Sequence, residues 1–287
     1  MSQPTPEIGA TTSLEMPVRL SRGFSPGAWL TLLRISVEQL VRGRRLLALG
    51  ALFTLPAVIA LAGRYDNPNF AAHAVQFELS LVFYMIPQAL VPLTALILAS
   101  GMIRDEVEGQ TLTYLLIRPL PRPAIYAAKL AAAWLVAAGL TAVFTALALA
   151  VIHWGADDFW GTIFPGRALR VAALGALSLS VYVALFGGLS LVVRWVLPLG
   201  VAYIVVIEGL FANLDFVLRR LTVLWYARIL AERWLGLHVE AWSINLEEAP
   251  SGPEALLTLL GATLVLAIAA AWLFGANEVR MKTPEGS

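Results

Sequence analysis

The sequence predicts an all-α membrane protein with six transmembrane helices, an N-terminal interfacial helix and a short cytoplasmic helix between spans two and three. Three observations predict this fold class. First, 59% of the 287 residues are hydrophobic, and the mean hydropathy is +0.77. Second, only 14% are charged, which is too little to cover the surface of a soluble protein of this length. Third, the apolar residues fall into six runs of about 20 residues, the length of helix that crosses a bilayer.

The composition also excludes several kinds of site and partner. The chain has 20 Lys and Arg against 19 Asp and Glu, so its net charge of +1 gives no reason to expect a nucleic acid partner. It has no cysteine, which excludes disulfides, thiolate metal ligands and cysteine nucleophiles. Residues 1–23 are polar and lack the apolar core of a signal peptide, so we expect a disordered cytoplasmic N-terminus.

Residues 24–45 predict an interfacial amphipathic helix that leads into span one. Ser25 and Pro26 are suited to a helix cap and a first-turn proline. Apolar and charged residues then recur at helical spacing on opposite sides. The apolar side carries Trp29, Leu33, Val37, Leu40 and Val41, and the charged side carries Arg34, Glu38 and Arg42.

The six predicted spans make up a transmembrane domain over residues 46–276. In chain order they cover residues 46–63, 79–103, 130–152, 171–193, 195–214 and 255–276. Pro87 and Pro92 predict a kink in span two, and the single Arg194 predicts a tight turn between spans four and five. Small residues in spans three and four predict closely packed helices. These are Gly139, Gly175, Gly187 and Gly188.

The distribution of Lys and Arg predicts a multi-pass protein of the cell (inner) membrane with both termini in the cytoplasm. In this orientation the two short outer loops carry only Arg64, Arg167 and Arg170. The outer segment 215–254 carries four arginines and six acidic residues, and its mixture of Leu, Trp, Tyr and Arg predicts one or two re-entrant or surface-lying helices. We expect residues 277–287 to form a cytoplasmic tail.

The largest inner connection, residues 104–129, holds three acidic residues, four basic residues and three prolines between two apolar runs. It has the pattern of a short docked helix, with acids before its start, an apolar face and a basic residue before a terminating proline. The residues in this order are Glu106, Glu108, Gly109 at a bend, Thr111 as cap, Leu112, Leu115 and Leu116 on the face, Arg118 and Pro119. Pro123 can open span three. The alternative is a solvated loop whose charges only fix the topology.

This block, "RDEVEGQTLTYLLIRPLPRPAIYAAKL", resembles the segment after the second span in permease subunits of the type-2 ATP-binding-cassette (ABC) exporter family. The stretch "RISVEQLVRGRR" is similar to the family's N-terminal helix, although Arg34 and Glu38 stand four positions apart where many members have adjacent charges. The positions that match in the block are Glu106, Glu108, Gly109, Thr111, Leu112, Leu115, Leu116, Pro119, Arg122, Ile125 and Lys129.

The resemblance implies that Thr111 to Arg118 is a coupling helix seated in a separate nucleotide-binding ATPase subunit, present in two copies. It also implies that the pore forms between two permease copies, as a homodimer or a heterodimer. The sequence has no G-x-x-x-x-G-K-[ST] phosphate loop, so we expect no catalytic residue and no cofactor in this chain, with ATP and Mg bound by the partner. Two alternatives stay open: an ATP-independent secondary transporter, and an ABC-type mechanical transmitter to an extracytoplasmic partner.

Several isolated residues also deserve a functional interpretation. Glu208 lies inside predicted span five, where a carboxylate is costly, so it either lines the translocation path or reaches interfacial water at the outer end. His73, His153 and His238 have no compact ligand spacing, and we expect no metal site. Five tryptophans are predicted to anchor the chain at the membrane interface. They are Trp154, Trp160, Trp225, Trp234 and Trp242.

Overall fold

The computed structural model describes residues 25–67, 69–108, 120–156, 159–214, 217–237 and 239–276, with the backbone alone at 104–108 and 162–163. Within these ranges the chain forms helices and no β-strand. Six of the helices are long and apolar enough to cross a membrane, as predicted. In chain order these spans are Arg44–Asp66, Phe70–Ile103, Arg122–His153, Phe164–Val192, Val196–Asn213 and Gly252–Ala276.

Three of the spans are not regular α-helices throughout. Span two consists of α-helix Phe70–Glu78, π-helix Leu79–Leu90 and α-helix Val91–Glu108. Span four begins within a π-helical stretch, Phe159–Arg167, and continues as α-helix Ala168–Val192. Span five runs through α-helix Val196–Tyr203, π-helix Ile204–Leu210 and a 3₁₀ turn, Phe211–Asn213. Pro87, which has no N–H to donate, lies within the π-helix of span two, where we predicted a kink.

The N-terminal helix, Pro26–Arg42, has Pro26 in its first turn as predicted, but the Ser25 side chain makes no capping hydrogen bond. Arg34 and Glu38 form the expected exposed pair, with 2.9 Å between Nε and Oε1. The predicted apolar face is partly wrong, because Val41 is 52% exposed and Leu32, which the pattern omitted, is 2% exposed. Leu32 faces the start of span three, and this contact decides which face of the helix is buried.

Spans two and four form the centre of the bundle, and span six lies at its edge. In the most apolar stretch of span two, 61% of the residues are buried, whereas in that of span six only 11% are. Glycines let the central helices approach as predicted at Gly175, Gly187 and Gly188. A Cβ at Gly187 would stand 2.8 Å from Cε of Met102 in span two. Gly139 has open space around it, so the prediction is wrong there.

The outer segment contains two 3₁₀ turns, Val217–Leu221 and Glu240–Trp242, and an α-helix, Val223–Leu235, which we call the outer helix. It begins at a capping Thr222, whose hydroxyl accepts the N–H of Trp225 at 3.3 Å, and ends at Gly236, which has a positive φ of 62°. The outer helix packs against spans four and six, and nine of its 13 residues are buried. It is therefore not a surface-lying helix.

Two of the predicted interface anchors lie in the core for the same reason. Trp225 and Trp242 are each 4% exposed, because the outer helix and the turn after it fold into the bundle. Trp154 and Trp160, by contrast, are 65% and 75% exposed at the end of span three and in the turn before span four. The anchoring role therefore stays a prediction only for tryptophans that reach the surface.

Candidate functional site

The predicted coupling block lies only partly within the described residues. The backbone of span two is helical through Glu108, so Glu106 and Glu108 belong to the last turns of that span rather than to the start of a separate helix. Residues 109–119 lie outside the described residues. They include Gly109, Thr111, Leu112, Leu115, Leu116, Arg118 and Pro119, whose predicted roles remain predictions.

The described end of this block, from Leu120 onward, is fixed against the N-terminal helix. Leu120 is 3% exposed and packs in one small cluster with Leu32 and Ile125. The indole N–H of Trp29 donates to the backbone carbonyl of Ala124 at 3.0 Å. Span three then opens at Arg122 with a proline in its first turn, as predicted. Movement of the block would therefore be transmitted to both helices.

The chain that enters the block is packed at the same end of the bundle. Met102 and Ile103, at the end of span two, form a buried cluster with Tyr126 of span three and Phe274 of span six. The rings of Tyr126 and Phe274 have centroids 5.8 Å apart. The two ends of the block are thus held by four helices: the N-terminal helix and spans two, three and six.

Glu208 is the buried carboxylate of span five, and it is fully shielded from solvent. Its Oε1 accepts the backbone N–H of Val223 at 3.0 Å, and its Oε2 accepts that of Leu224 at 3.1 Å. The hydroxyl of Tyr203 donates to Oε1 at 3.2 Å. A carboxylate at this position satisfies free N–H groups at the start of the outer helix and faces the positive end of its dipole. The interpretation that Glu208 reaches interfacial water is therefore wrong, and its role in the translocation path stays a prediction.

Arg228 lies in the outer helix and ties it to the end of span five. Its side chain is 3% exposed, and its Nη atoms donate to the carbonyl of Ala212 at 3.2 Å and to Oδ1 of Asn213 at 2.8 Å. Its guanidinium carbon lies 5.5 Å from the ring centre of Tyr84 and 5.6 Å from that of Trp242. Burial lowers the pKa of Arg228 from its usual range, but an arginine stays protonated in proteins.

Sequence reasoning missed Arg228 as a functional candidate. The available signal was its setting in "YARILAE", where an arginine interrupts an apolar helical pattern. We counted this residue among the charges of a surface segment, because its buried neighbours come from spans that are distant in sequence.

A cavity of about 40 Å³ lies beside Arg228, between spans two, three and four and the outer helix. Most of its lining is apolar. Its polar lining side chains are Thr141, Thr145, Ser178, Arg228 and Trp242, and no Asp or Glu of the described residues lines it. We call it the Arg228 cavity. Of the residues predicted for the coupling block, the interfacial helix and the translocation path, none that the structure describes lines it.

A second buried polar cluster joins the ends of spans two, three and four. Glu78 is 1% exposed, and its carboxylate accepts Nε of Arg167 at 2.7 Å and contacts Nε2 of His153 at 2.9 Å. Sequence reasoning did not single out Glu78. His73 instead contacts Asn67 and Asn69, and His238 lies outside the described residues. Within the described part of the chain, no three His, Cys, Asp or Glu side chains are grouped so that they could hold a metal ion.

Comparison with known proteins finds one family whose model matches this chain. The model of the family described as ABC-2 family transporter protein matches residues 42–209, more than half of the chain. The match starts at the end of the N-terminal helix and includes the coupling block and Glu208, but it stops before the outer helix. No curated protein matches the chain.

Proposed function

We propose that this chain, which belongs to the ABC-2 family of transporter proteins, is the membrane permease subunit of an ATP-driven exporter. The family comprises membrane components of transporters rather than catalytic subunits, and the six apolar helices agree with that role. In the proposal, two copies of a separate nucleotide-binding ATPase bind at the coupling block, and a second permease copy completes the translocation path. The chain lies in the cell (inner) membrane, and both of its termini face the cytoplasm.

One observation supports the coupling role most directly: both ends of the block are anchored in the bundle. Trp29 and Leu120 attach the exit of the block to the N-terminal helix, and Met102 and Ile103 attach its entrance to spans three and six. A push on the block by closing ATPase subunits would therefore move these helices together instead of deforming a loose loop. ATP and Mg²⁺ act in the partner, and this chain receives the motion.

The proposal is tested by purifying the chain from detergent-solubilised native membranes through a C-terminal tag. We expect a partner that contains a phosphate loop and gives ATPase activity in the eluate. Replacing Leu112 and Leu115 by Glu should abolish this association, because it puts charge on the apolar face predicted to enter the partner. The amount of chain in the membrane should not change.

Gln39→Glu is a matched control for this experiment. Gln39 is exposed on the N-terminal helix, so the substitution adds charge at the same predicted side of the membrane without touching the block. It should leave the partner bound. A wild-type chain that is recovered alone in several mild detergents, or a Leu112/Leu115 variant that keeps its partner, would contradict the proposal.

The proposed part of Glu208 in the translocation path has its own test. Glu208→Gln removes the charge and keeps one acceptor oxygen for the outer helix. If the carboxylate acts on the cargo, ATP-driven export should fall while expression and partner binding stay normal. Unchanged export would leave Glu208 with the capping role alone.

A further inference from the structure

We infer that the Arg228 cavity is a binding site for an anionic oxygen group, such as a phosphate or a carboxylate. The inference depends on the residues that line the cavity, and it does not require that the chain works with an ATPase. None of the sequence-predicted sites includes this cavity.

The lining side chains offer hydrogen-bond donors that have no partner. Nε of Arg228 and the indole N of Trp242 are buried without a hydrogen bond to any described residue, and so are the hydroxyls of Thr141 and Thr145. Guanidinium and indole N–H groups can only donate, and a hydroxyl can donate as well as accept. Four unpaired polar groups around one cavity would cost several times the penalty of a single buried unpaired group, unless a ligand satisfies them. The ligand that satisfies them must be rich in acceptors.

The positive charge of Arg228 beside the cavity also favours an anionic ligand. Among the described residues, no Asp or Glu lines the cavity or forms an ion pair with Arg228. The groups that Arg228 contacts through its Nη atoms are neutral, namely a backbone carbonyl and an amide oxygen. The carboxylate of Glu208 acts on Arg228 through space but makes no direct ion pair with it, so burial of this guanidinium, which is 3% exposed, is costly, and an incoming anion would lower that cost.

The size of the cavity limits what can bind inside it. A volume of about 40 Å³ exceeds the 10–15 Å³ that one water molecule needs, and it suits a few waters or one small oxyanion. Waters could pair with the hydroxyls, but they would not neutralise Arg228. The bound group is therefore either a free oxyanion or the anionic head of a larger amphiphile whose remainder lies along the apolar spans.

Binding is measured with the full chain purified in a non-ionic detergent. Inorganic phosphate and acetate are titrated separately at constant ionic strength while the thermal midpoint is recorded. Native mass spectrometry of the same sample measures retention of phosphatidylglycerol against phosphatidylcholine. A midpoint that rises with a free anion identifies a soluble source of the group. Selective retention of phosphatidylglycerol identifies a lipid headgroup. Either result supports the site.

Three variants make the test specific. Arg228→Gln should weaken binding about ten-fold or more, since it removes a charge-assisted hydrogen bond. Thr145→Val should weaken binding while leaving the ligand-free midpoint unchanged or higher, which separates a ligand contact from a structural role. Arg233→Gln is the matched control, because Arg233 lies on the same helix, is exposed, and donates to the carbonyls of Leu246 and Ala249 instead.

The inference is overturned if the wild type responds to neither free anion and retains both lipids equally. It is also overturned if Thr145→Val and Arg228→Gln bind as tightly as the wild type. If Arg228→Gln fails to fold, Thr141→Val and Thr145→Val together decide the outcome, since both replace a hydroxyl by a methyl group of similar shape.

Discussion

Two arginines in this bundle are held in different ways. Arg167 donates to the buried carboxylate of Glu78 at 2.7 Å, and His153 contacts the other oxygen of that carboxylate. Arg228 is more deeply buried, and the described residues that contact it are neutral acceptors and aromatic rings, beside a cavity with further unpaired donors. The first cluster is complete within the chain. The second has no carboxylate in direct contact with its arginine among the described residues, and this difference separates a structural cluster from a candidate binding site.

The largest effect should come from breaking the complete cluster. Glu78→Gln leaves Arg167 without a counter-charge, and we expect it to lower the free energy of unfolding by about 3 kcal/mol, the lower end of the range for a broken buried ion pair. The lower end of this energy range applies because the Arg167 side chain keeps 26% of its surface exposed, and solvent weakens the ion pair. Denaturant or thermal unfolding in detergent measures the loss.

A matched control and a double variant sharpen this result. Glu240→Gln changes an exposed carboxylate of the outer segment and should have little effect. Adding Arg167→Gln to Glu78→Gln should recover part of the stability, because it removes the charge left without a partner. If Glu78→Gln were no more destabilising than Glu240→Gln, the cluster would not stabilise the bundle.

An intermediate effect is expected at the start of the outer helix, which positions Arg228. Glu208→Ala leaves the N–H groups of Val223 and Leu224 buried and unpaired, at a cost of about 2 kcal/mol in the free energy of unfolding. Hydrogen exchange read by mass spectrometry should show faster exchange in peptides that cover residues 223–228. Glu208→Gln should cost less, because one acceptor oxygen remains.

The comparison for this variant is Glu254, which caps span six in an exposed setting. Its Oε2 accepts the N–H of Ser251 at 2.8 Å. Glu254→Ala should have the smaller effect, since water can replace an exposed cap. Equal effects of the two substitutions would mean that the burial of Glu208 adds nothing to its capping role.

The smallest effect should come from the incomplete cluster without its ligand. Thr145→Val replaces an unpaired buried hydroxyl by a methyl group, so the free energy of unfolding should change by less than about 0.5 kcal/mol or rise slightly. Thr222→Val is the comparison, because that hydroxyl accepts the N–H of Trp225 and donates to the carbonyl of Arg219. It should cost about 1 kcal/mol in the same unfolding assay. A similar loss for Thr145→Val would mean that its hydroxyl already has a partner.

The coupling block and the outer helix differ in how well a sequence can predict them. The block was recognisable because its acids, cap, leucines and prolines stand in a fixed order along one short stretch, and the family match extends across that stretch. For the outer helix the sequence predicts only re-entrant or surface-lying helices, because its leucines, tryptophans and arginines do not define one apolar side. Its ragged pattern has a simple cause: it is surrounded by other helices, so most of its positions are buried.

The sequence by itself determined the number of spans, the N-terminal helix and the family resemblance. These depend on the length of apolar runs and on local spacing, which need no knowledge of neighbours. Only the tertiary structure decided which polar groups are paired. Glu78 meets His153 and Arg167 across long stretches of chain, whereas Arg228 lies beside a cavity that no carboxylate of the described residues lines. The cost of a buried charge depends on what lies within a few ångströms of it, and helix packing sets those distances.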